Sequence, residues 1–157
     1  MSDHKRALLL SLHPRFATSI LEGTKSVELR RQRIPVPPGT TVILYATAPV
    51  MAVVGTARVA EVHVAEPDDV WSSFHAHTAL TREEFDQYMA GASQACALLL
   101  TDVEQLPTPV PLAHLRSSQP FHPPQSYRYL ASSVLRQLVD GHPMASRILR
   151  QTEATPS

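Results

Sequence analysis

The sequence predicts an α+β fold in which helices flank a curled, mostly antiparallel sheet of about five to six strands. Two observations predict it. Runs rich in β-branched and apolar residues, such as 41–47 and 53–64, are typical of strands. Between these runs, apolar residues recur with helical spacing, and capping residues stand at the segment ends. With 157 residues, the chain is long enough for one domain with its own core.

The first part of the chain is predicted to form a strand, a helix and a second strand. Residues 7–12 are apolar and predict a buried strand, and Pro14 suits the first position of a helix. The apolar stripe of that helix includes Ile20, and Gly23 suits its carboxyl-terminal cap. The second strand is predicted over residues 25–31.

A stiff, proline-rich turn is predicted at residues 35–39, before the strands at 41–47 and 53–64. The helix at 81–90 is predicted to open with a capping box, because Thr81 precedes Glu84 by three residues. The remaining elements are predicted in this order: a helix at 66–76, a strand at 95–102, an extended edge segment through Pro107, Pro109 and Pro111, a helical turn at 112–116 and a closing helix at 127–139. We expect residues 1–142 to form a single domain and residues 143–157 a tail that is either disordered or helical.

The composition narrows the class of protein. Basic and acidic residues balance at 14 each, so any contact with nucleic acid must be local. The one cysteine, Cys96, cannot form an internal disulfide. The sequence has no apolar run of membrane-spanning length, and the segment containing His4 and Lys5 lacks the pattern of a signal peptide. We therefore expect a cytoplasmic protein with no membrane partner.

The predicted strand at 25–31 carries an unusual concentration of charge. Glu28 and Arg30 share one face of it, about 7 Å apart at Cα, whereas Lys25 is predicted on the opposite face. A long arginine can fold back on the carboxylate and hold it ionised. Such a pair can bind a ligand, or it can be a surface ion pair that contributes less than about 1 kcal/mol.

These charges fit the pattern G-x-K-x-x-E-x-R, through Gly23, Lys25, Glu28 and Arg30. In this respect the sequence resembles the ASCH family, a branch of the PUA-like superfamily of small β-barrels, over roughly residues 7 to 131. Further matches occur in order: Ser11-Leu12-His13-Pro14, Tyr45 with Ala48-Pro49-Val50, Trp71, Phe85 with Tyr88 and Gly91, and the segment from Pro123 to Leu130. The resemblance implies a PUA-like, small curled β-barrel.

The resemblance also implies a ligand cleft beside the signature strand. The residues expected to bind the ligand are Ser11, His13, Lys25, Glu28, Arg30 and Tyr127. A carboxylate can accept a hydrogen bond from an exocyclic amine, an arginine can donate to phosphate, and an aromatic ring can stack on an unpaired base. The favoured function is therefore recognition of a modified or unpaired nucleobase, in single-stranded or structured RNA or as a modified nucleoside.

A local basic cluster is expected to contact the RNA backbone, and the alternative for it is a solvated face. The residues expected to contact the backbone are Arg15, Arg31 and Arg33, which form this cluster together with Lys25 and Arg30. No cofactor and no metal are expected, because His75 and His77 stand two apart on a predicted helix and would point to different sides. Because the sequence shows no helix-turn-helix with a basic recognition helix, reading of DNA sequence is the least favoured function. The oligomeric state is left open.

The alternative to a binding module is a hydrolase, and the sequence leaves this choice open. If the protein is an enzyme, the catalytic candidates are Lys25, Glu28 and Ser126. Some relatives resemble amidohydrolases that act on N4-acetylcytidine, with a lysine, a nucleophilic threonine and an assisting glutamate. Lys25 matches the lysine, Glu28 stands where the threonine would fall, and Glu61 is a candidate for the glutamate.

Other relatives look like ribonucleases, and the same lysine matters for them. Lys25 would stabilise charge on the phosphate, and Ser126 or Tyr127 would supply a hydroxyl group. A lowered pKa of Lys25, caused by burial, would favour catalysis. Pairing with Glu28 would instead keep the ammonium charged and favour binding.

Overall fold

Six strands and six helices are present in residues 6–153, the part of the chain that the computed structural model describes. The strands are β1 (Arg6–Leu12), β2 (Val27–Arg30), β3 (Thr41–Ala46), β4 (Ala52–Ala65), β5 (Ala95–Pro111) and β6 (Tyr127–Ala131). The helices are α1 (Pro14–Glu22), α2 (Pro67–Phe74), α3 (Arg82–Met89), α4 (Leu112–Leu115), α5 (Ser132–Val139) and α6 (Ala145–Glu153). His4 and Lys5, which entered the signal-peptide argument, lie outside the described residues.

The six strands form one sheet in the order β2-β5-β4-β3-β1-β6. β1 and β3 are parallel, and the other four neighbouring pairs are antiparallel. The predictions of an α+β fold and of a mostly antiparallel sheet are therefore confirmed. The parallel pair exists because α1, β2 and the following turn carry the chain back to the same end of the sheet, as a parallel crossover requires.

The backbone ladder of this sheet runs from β2 to β6 without closing on itself. The two ends of the sheet nevertheless lie close together, since the Arg30 side chain on β2 reaches residues at the opposite end. Its Nη2 donates to the carbonyl of Ser11 on β1 (2.9 Å), and its Nη1 donates to Oγ of Ser126, just before β6 (2.9 Å). The sheet is thus curled, but a closed barrel is not formed by backbone hydrogen bonds.

Both faces of the central strands are buried. Alternate residues of β1 contribute to two apolar clusters: Leu9 packs beneath α4, α5 and α6, and Leu10 packs with Ile20 of α1. A third cluster holds α2 and α3 against β2, with Phe85 at its centre. A strand that is buried on both faces needs apolar residues at successive positions, which explains the run of apolar residues in β1.

The ends of α1 and the start of α3 agree with the signals in the sequence. Pro14 begins α1, and Gly23 ends it with a φ of 89°, in the left-handed region that favours glycine. The capping box of α3 is confirmed. The backbone N–H of Glu84 donates to Oγ1 of Thr81 (3.1 Å), and Oε1 of Glu84 accepts from the backbone N–H of Thr81 (2.9 Å).

One element was predicted wrongly. Residues Tyr127–Ala131 form β6, antiparallel to β1, and the closing helix begins only at Ser132. The free edge of β1 supplies backbone partners to this segment, and aromatic residues suit a strand. An edge made available by distant residues leaves no trace in the local pattern.

Two strand boundaries also differ. β5 continues past the predicted end at residue 102 to Pro111, because it pairs with β4 along most of its length, with register shifts that accommodate the prolines. β2 is shorter than predicted and begins at Val27. Within the expected tail, residues Ala145–Glu153 form helix α6. Among residues 6–153, no helix combines the length and the apolar character needed to span a bilayer.

Candidate functional site

A cleft of about 310 Å³ opens between β2, the start of α1 and α3. We name it the Lys25 cleft. Its walls are Ser11, Leu12, His13, Phe16, Lys25, Glu28, Leu29, Arg30, Leu80, Glu84 and Tyr88. The curl of the sheet brings the ends of β1 and β2 together here, and the loop before α3 covers the cleft from the other side. Most of the residues predicted to bind a ligand therefore lie in one place.

Lys25 is buried, with 2% of its surface exposed. Its Nζ donates to the carbonyl of Thr78 (2.6 Å), lies 3.3 Å from Oε1 of Glu28, and stands 4.7 Å from the centre of the Phe16 ring. Burial lowers the pKa of the Lys25 ammonium, and the attraction of Glu28 opposes that shift only in part. Both features weighed from the sequence are therefore present: the lowered pKa of Lys25, which favours catalysis, and the close contact with Glu28, which favours binding.

Glu28 lies between two cations. Its Oε1 faces Lys25, and its Oε2 accepts from Nε (2.9 Å) and lies 2.8 Å from Nη2 of Arg30. The side chain is only 9% exposed, so this is a partly buried ion triad rather than the exposed pair considered from the sequence. A carboxylate held from both sides in this way is fixed in orientation.

Lys25 was predicted on the face of the strand opposite Glu28, and this prediction is wrong. Because β2 begins at Val27, Lys25 precedes the strand and is not bound by its alternation. The backbone N–H groups of Thr24 and Lys25 donate to the carbonyl of Ser19, which completes the end of α1. This turn directs the lysine to the same side as Glu28.

Arg30 uses all of its donors within the protein. Nε and Nη2 reach Glu28, Nη2 also donates to the Ser11 carbonyl, and Nη1 donates to Oγ and the carbonyl oxygen of Ser126. A guanidinium has five N–H groups, so a direct forked bond to phosphate requires displacement of one of these acceptors. Because Oγ of Ser126 accepts from Arg30, its own hydrogen is left to donate elsewhere.

Ser11 and His13 differ in their accessibility. Ser11 is only 5% exposed. Its Oγ donates to the carbonyl of Pro124 (2.6 Å) and so holds the segment before β6 in place. His13 is exposed at the start of α1, with its ring edge against Phe16 at 6.5 Å. Tyr45 is the neighbour of Ser11 in the parallel β1–β3 pair and is 2% exposed, and burial raises its pKa.

The predicted basic cluster is divided by ion pairs and hydrogen bonds. Arg15 contacts Glu84 across the mouth of the Lys25 cleft, with 2.6 Å between Nη1 and Oε2. The hydrogen bond from Arg15, together with one from the backbone of Thr81, lowers the pKa of Glu84 to about 2. Arg31 donates from Nη1 to the carbonyls of Tyr88 and Ala90 and so holds the end of α3. Arg33 is exposed beyond these contacts.

A second cleft, of about 350 Å³, adjoins the first. We name it the Tyr127 cleft. Its walls are Arg30, Arg31, Gln32, Ile34, Tyr88, Gln125, Ser126 and Tyr127. It shares Arg30 and Tyr88 with the Lys25 cleft. Of the predicted site residues, Ser126 and Tyr127 therefore lie on the far side of Arg30 from Lys25.

Two residues weighed from the sequence, Glu61 and His75, lie outside both clefts. Glu61, the candidate glutamate of an amidohydrolase, lies on β4 with its side chain 59% exposed and lines neither cleft. His75 stacks beside Trp71, with 5.4 Å between ring centres. Within residues 6–153, no three His, Cys, Asp or Glu side chains are grouped closely enough to hold a metal ion.

Six residues of the Lys25 cleft were not among the predicted ligand-binding set: Leu12, Phe16, Leu29, Leu80, Glu84 and Tyr88. Glu84 was assigned only to the helix cap. A signal was present, because Glu84 and Tyr88 stand four apart and therefore share one face of α3. Nothing in the local sequence shows that this face lies over β2.

Comparison with known proteins shows the family of this chain. A family profile described as "Domain of unknown function (DUF365)" matches residues 7–117. An ASCH domain-containing ribonuclease of Zymomonas mobilis is 34% identical over 139 residues, which are 87% of this chain and 92% of the relative. The crystal structure of ASCH from Zymomonas mobilis matches with a TM-score of 0.77 at 31% identity, covering 87% of this chain and 96% of that one. A variant of that protein with a serine replaced by alanine gives 0.79 at 32% identity, covering 88% and 97%. This chain therefore belongs to the ASCH domain family.

Proposed function

We propose that this protein is a ribonuclease that holds an unpaired nucleotide in the Lys25 cleft. The observation that carries the proposal is the buried pair of Lys25 and Glu28, which places a proton donor and a proton acceptor 3.3 Å apart in the wall of a cleft. The similarity over 92% of a relative named as a ribonuclease supports the same activity. Single-stranded RNA, in the cytoplasm, is the proposed substrate.

The proposed reaction uses the 2′-hydroxyl of RNA as the nucleophile. Its oxygen attacks the adjacent phosphorus while Glu28 takes its proton, and the bond from phosphorus to the 5′-oxygen breaks. The Lys25 ammonium gives a proton to the departing 5′-oxygen, a transfer that a lowered pKa makes easier. Because the two groups are adjacent, Glu28 can then return its proton to Lys25.

The other residues of the site bind and orient the RNA. Phe16 and Tyr88 supply aromatic surface for the base. The positive charge of Arg30 and the hydroxyl of Ser126 face the phosphate. The Zymomonas mobilis relative has been crystallised with a serine-to-alanine change and with a tyrosine-to-phenylalanine change. The two changed positions lie as far apart along its chain as Tyr45 and Ser126 do here. This spacing supports Ser126 as a functional residue.

Recognition of a modified or unpaired base without cleavage is the second candidate function. The position of Glu28 favours it, because its side chain lies at the wall of a cleft where an exocyclic amine can donate to the carboxyl oxygens. The two functions use the same cleft. They differ in whether the bound RNA is broken.

Cleavage is tested with a short single-stranded RNA and with the same strand carrying one 2′-deoxynucleotide, the products being identified by mass spectrometry. We expect a 2′,3′-cyclic phosphate and a 5′-hydroxyl product, with no cleavage on the 3′ side of the deoxynucleotide. Lys25→Met and Glu28→Gln should each reduce the rate by about 10²- to 10⁴-fold, the usual contribution of a general acid or base.

Glu61→Gln is the matched control, because it removes an exposed carboxylate outside both clefts and should keep full activity. Thermal unfolding of each variant separates loss of chemistry from loss of fold. Retention of intact RNA by the wild type, without product, would instead establish the second candidate. If the wild type neither cleaves nor retains RNA, both functions are wrong.

A further inference from the structure

We propose that the Tyr127 cleft is a second nucleotide subsite, so that the protein binds two consecutive nucleotides of one RNA strand. The phosphate that links them would lie over Arg30 and Ser126. This inference rests on the proposed function of the Lys25 cleft and adds to it the minimal ligand, a dinucleotide rather than a nucleoside.

The first argument is the arrangement of the two clefts. They share the walls formed by Arg30 and Tyr88, and their volumes are about 310 and 350 Å³. Both volumes lie at the lower end of the range of small-molecule sites, about 300–1,000 Å³. Two adjoining compartments of similar size suit two adjoining units of a chain.

The second argument is the chemistry of the Tyr127 cleft. The Tyr127 ring is half-buried and packs edge-on against Tyr129, with 6.1 Å between ring centres, so its position is fixed for stacking. Gln32 and Gln125 are exposed in the same cleft, and each amide offers both donors and an acceptor to the edge of a base. Arg31 adds a positive charge near the backbone of the strand.

The third argument concerns the boundary between the clefts. Arg30 is held there by Glu28, Ser11 and Ser126, so its charge is fixed in place before any ligand arrives. Ser126 is exposed and accepts from Nη1 of Arg30, which leaves its hydroxyl hydrogen to donate to a phosphate oxygen. A phosphate that links two nucleotides here would lie beside both the positive charge of Arg30 and the hydroxyl donor of Ser126.

The test compares the binding of a mononucleotide with that of a dinucleotide by isothermal titration calorimetry. The dinucleotide carries a 2′-deoxyribose in its first nucleotide and so cannot be cleaved by the proposed reaction. We expect the wild type to bind the dinucleotide about 5- to 100-fold more tightly, the gain from stacking one more base. Gln125→Ala with Tyr127→Ala should remove this gain and leave mononucleotide affinity unchanged.

Gln87→Ala is the matched control, because it removes an exposed glutamine of α3 outside both clefts and should keep the gain. Because Tyr127 also contacts apolar residues, Gln125→Ala alone provides a variant that keeps the fold, with a smaller loss of the gain expected. If the wild type binds both ligands with equal affinity while Lys25→Met weakens mononucleotide binding, the second subsite is wrong and the proposed function of the Lys25 cleft is kept. If neither ligand binds, the proposed function fails and the subsite fails with it.

Discussion

Lys25 and Glu28 determine the properties of the site through their burial. From the sequence, a charged residue in a cleft is expected to be replaceable without harm to the fold. Lys25 is only 2% exposed and Glu28 only 7%, so each neutralises the other where water does not reach. The same contacts that could move protons in a reaction therefore also stabilise the folded state.

Glu28→Gln should lower the free energy of unfolding by about 3–5 kcal/mol, because it leaves two cations facing each other at a partly buried site. Lys25→Met should cost less, about 1–3 kcal/mol, because Glu28 keeps its contacts with Arg30. Urea unfolding of both variants gives the comparison. Glu22→Gln, at an exposed position, serves as the control and should change stability by less than about 0.5 kcal/mol. The reverse ranking of the two variants would contradict this assignment of partners.

Glu84 gives the fold a dependence on acid pH. Arg15 and the Thr81 backbone lower its pKa from 4.5 to about 2 in the folded protein. A carboxyl group whose pKa is lowered by folding stabilises the protein above its unfolded pKa, and this contribution is lost as the pH falls through the folded pKa. The loss therefore occurs between about pH 4.5 and 2.

In urea unfolding at a series of pH values, the wild type should lose its stability advantage over Glu84→Gln across this window. Because the pair is exposed, salt should reduce the advantage at neutral pH. Glu83→Gln, at the neighbouring exposed position, should keep the wild-type pH profile. An advantage that persists unchanged at pH 2 would show that Glu84 does not carry this effect.

Helix α3 shows how one element serves both the fold and the site. Its buried face, through Phe85 and Met89, packs on the third apolar cluster, and its other face presents Glu84 and Tyr88 to the clefts. The helix is only eight residues long, so its own hydrogen bonds are a weak source of stability. The capping box at Thr81 fixes where it begins.

Thr81→Ala should lower the free energy of unfolding by about 0.5–2 kcal/mol, the usual cost of losing an N-cap. Thr81→Ser keeps the oxygen that accepts from Glu84 and should stay close to the wild type. Because the backbone N–H that donates to Oε1 of Glu84 remains in Thr81→Ala, the pKa of Glu84 should stay well below its ordinary value, which NMR titration of the carboxyl group can show. A pKa of Glu84 that returns to its ordinary value would show that the backbone hydrogen bond depends on the Thr81 side chain to hold it in place.

At the scale of the whole molecule, α6 completes the surface over one end of the sheet. Ile148 is fully buried in the first apolar cluster. The carbonyl of Gln151 accepts from Oγ1 of Thr41 (2.9 Å) and from Nη2 of Arg58 (3.1 Å), on β3 and β4. The expected domain boundary at residue 142 can therefore be tested through this helix.

Ile148→Ala should cost about 2–5 kcal/mol if α6 is an integral part of the core. Arg150→Ala, on the exposed side of the same helix, is the control and should cost less than about 0.5 kcal/mol. Both values come from denaturant unfolding of the full chain. A negligible cost for Ile148→Ala would support a domain that ends before α6.

Elements whose signals are local could be predicted from the residues alone. Pro14, Gly23 and the Thr81 capping box marked helix ends, because caps depend on residues a few positions apart. The G-x-K-x-x-E-x-R pattern, together with the ordered matches along the rest of the chain, pointed to the family and to Lys25, Glu28 and Arg30 as residues of one cleft.

The tertiary structure decided what depends on distant partners. Tyr127 joined a strand because the edge of β1 was free, and Lys25 turned toward Glu28 because the end of α1 fixed the turn before β2. Arg30 reached Ser126 only because the sheet curls and brings its two ends together. Such contacts join residues far apart in the chain, and their energies depend on burial, which no local pattern specifies.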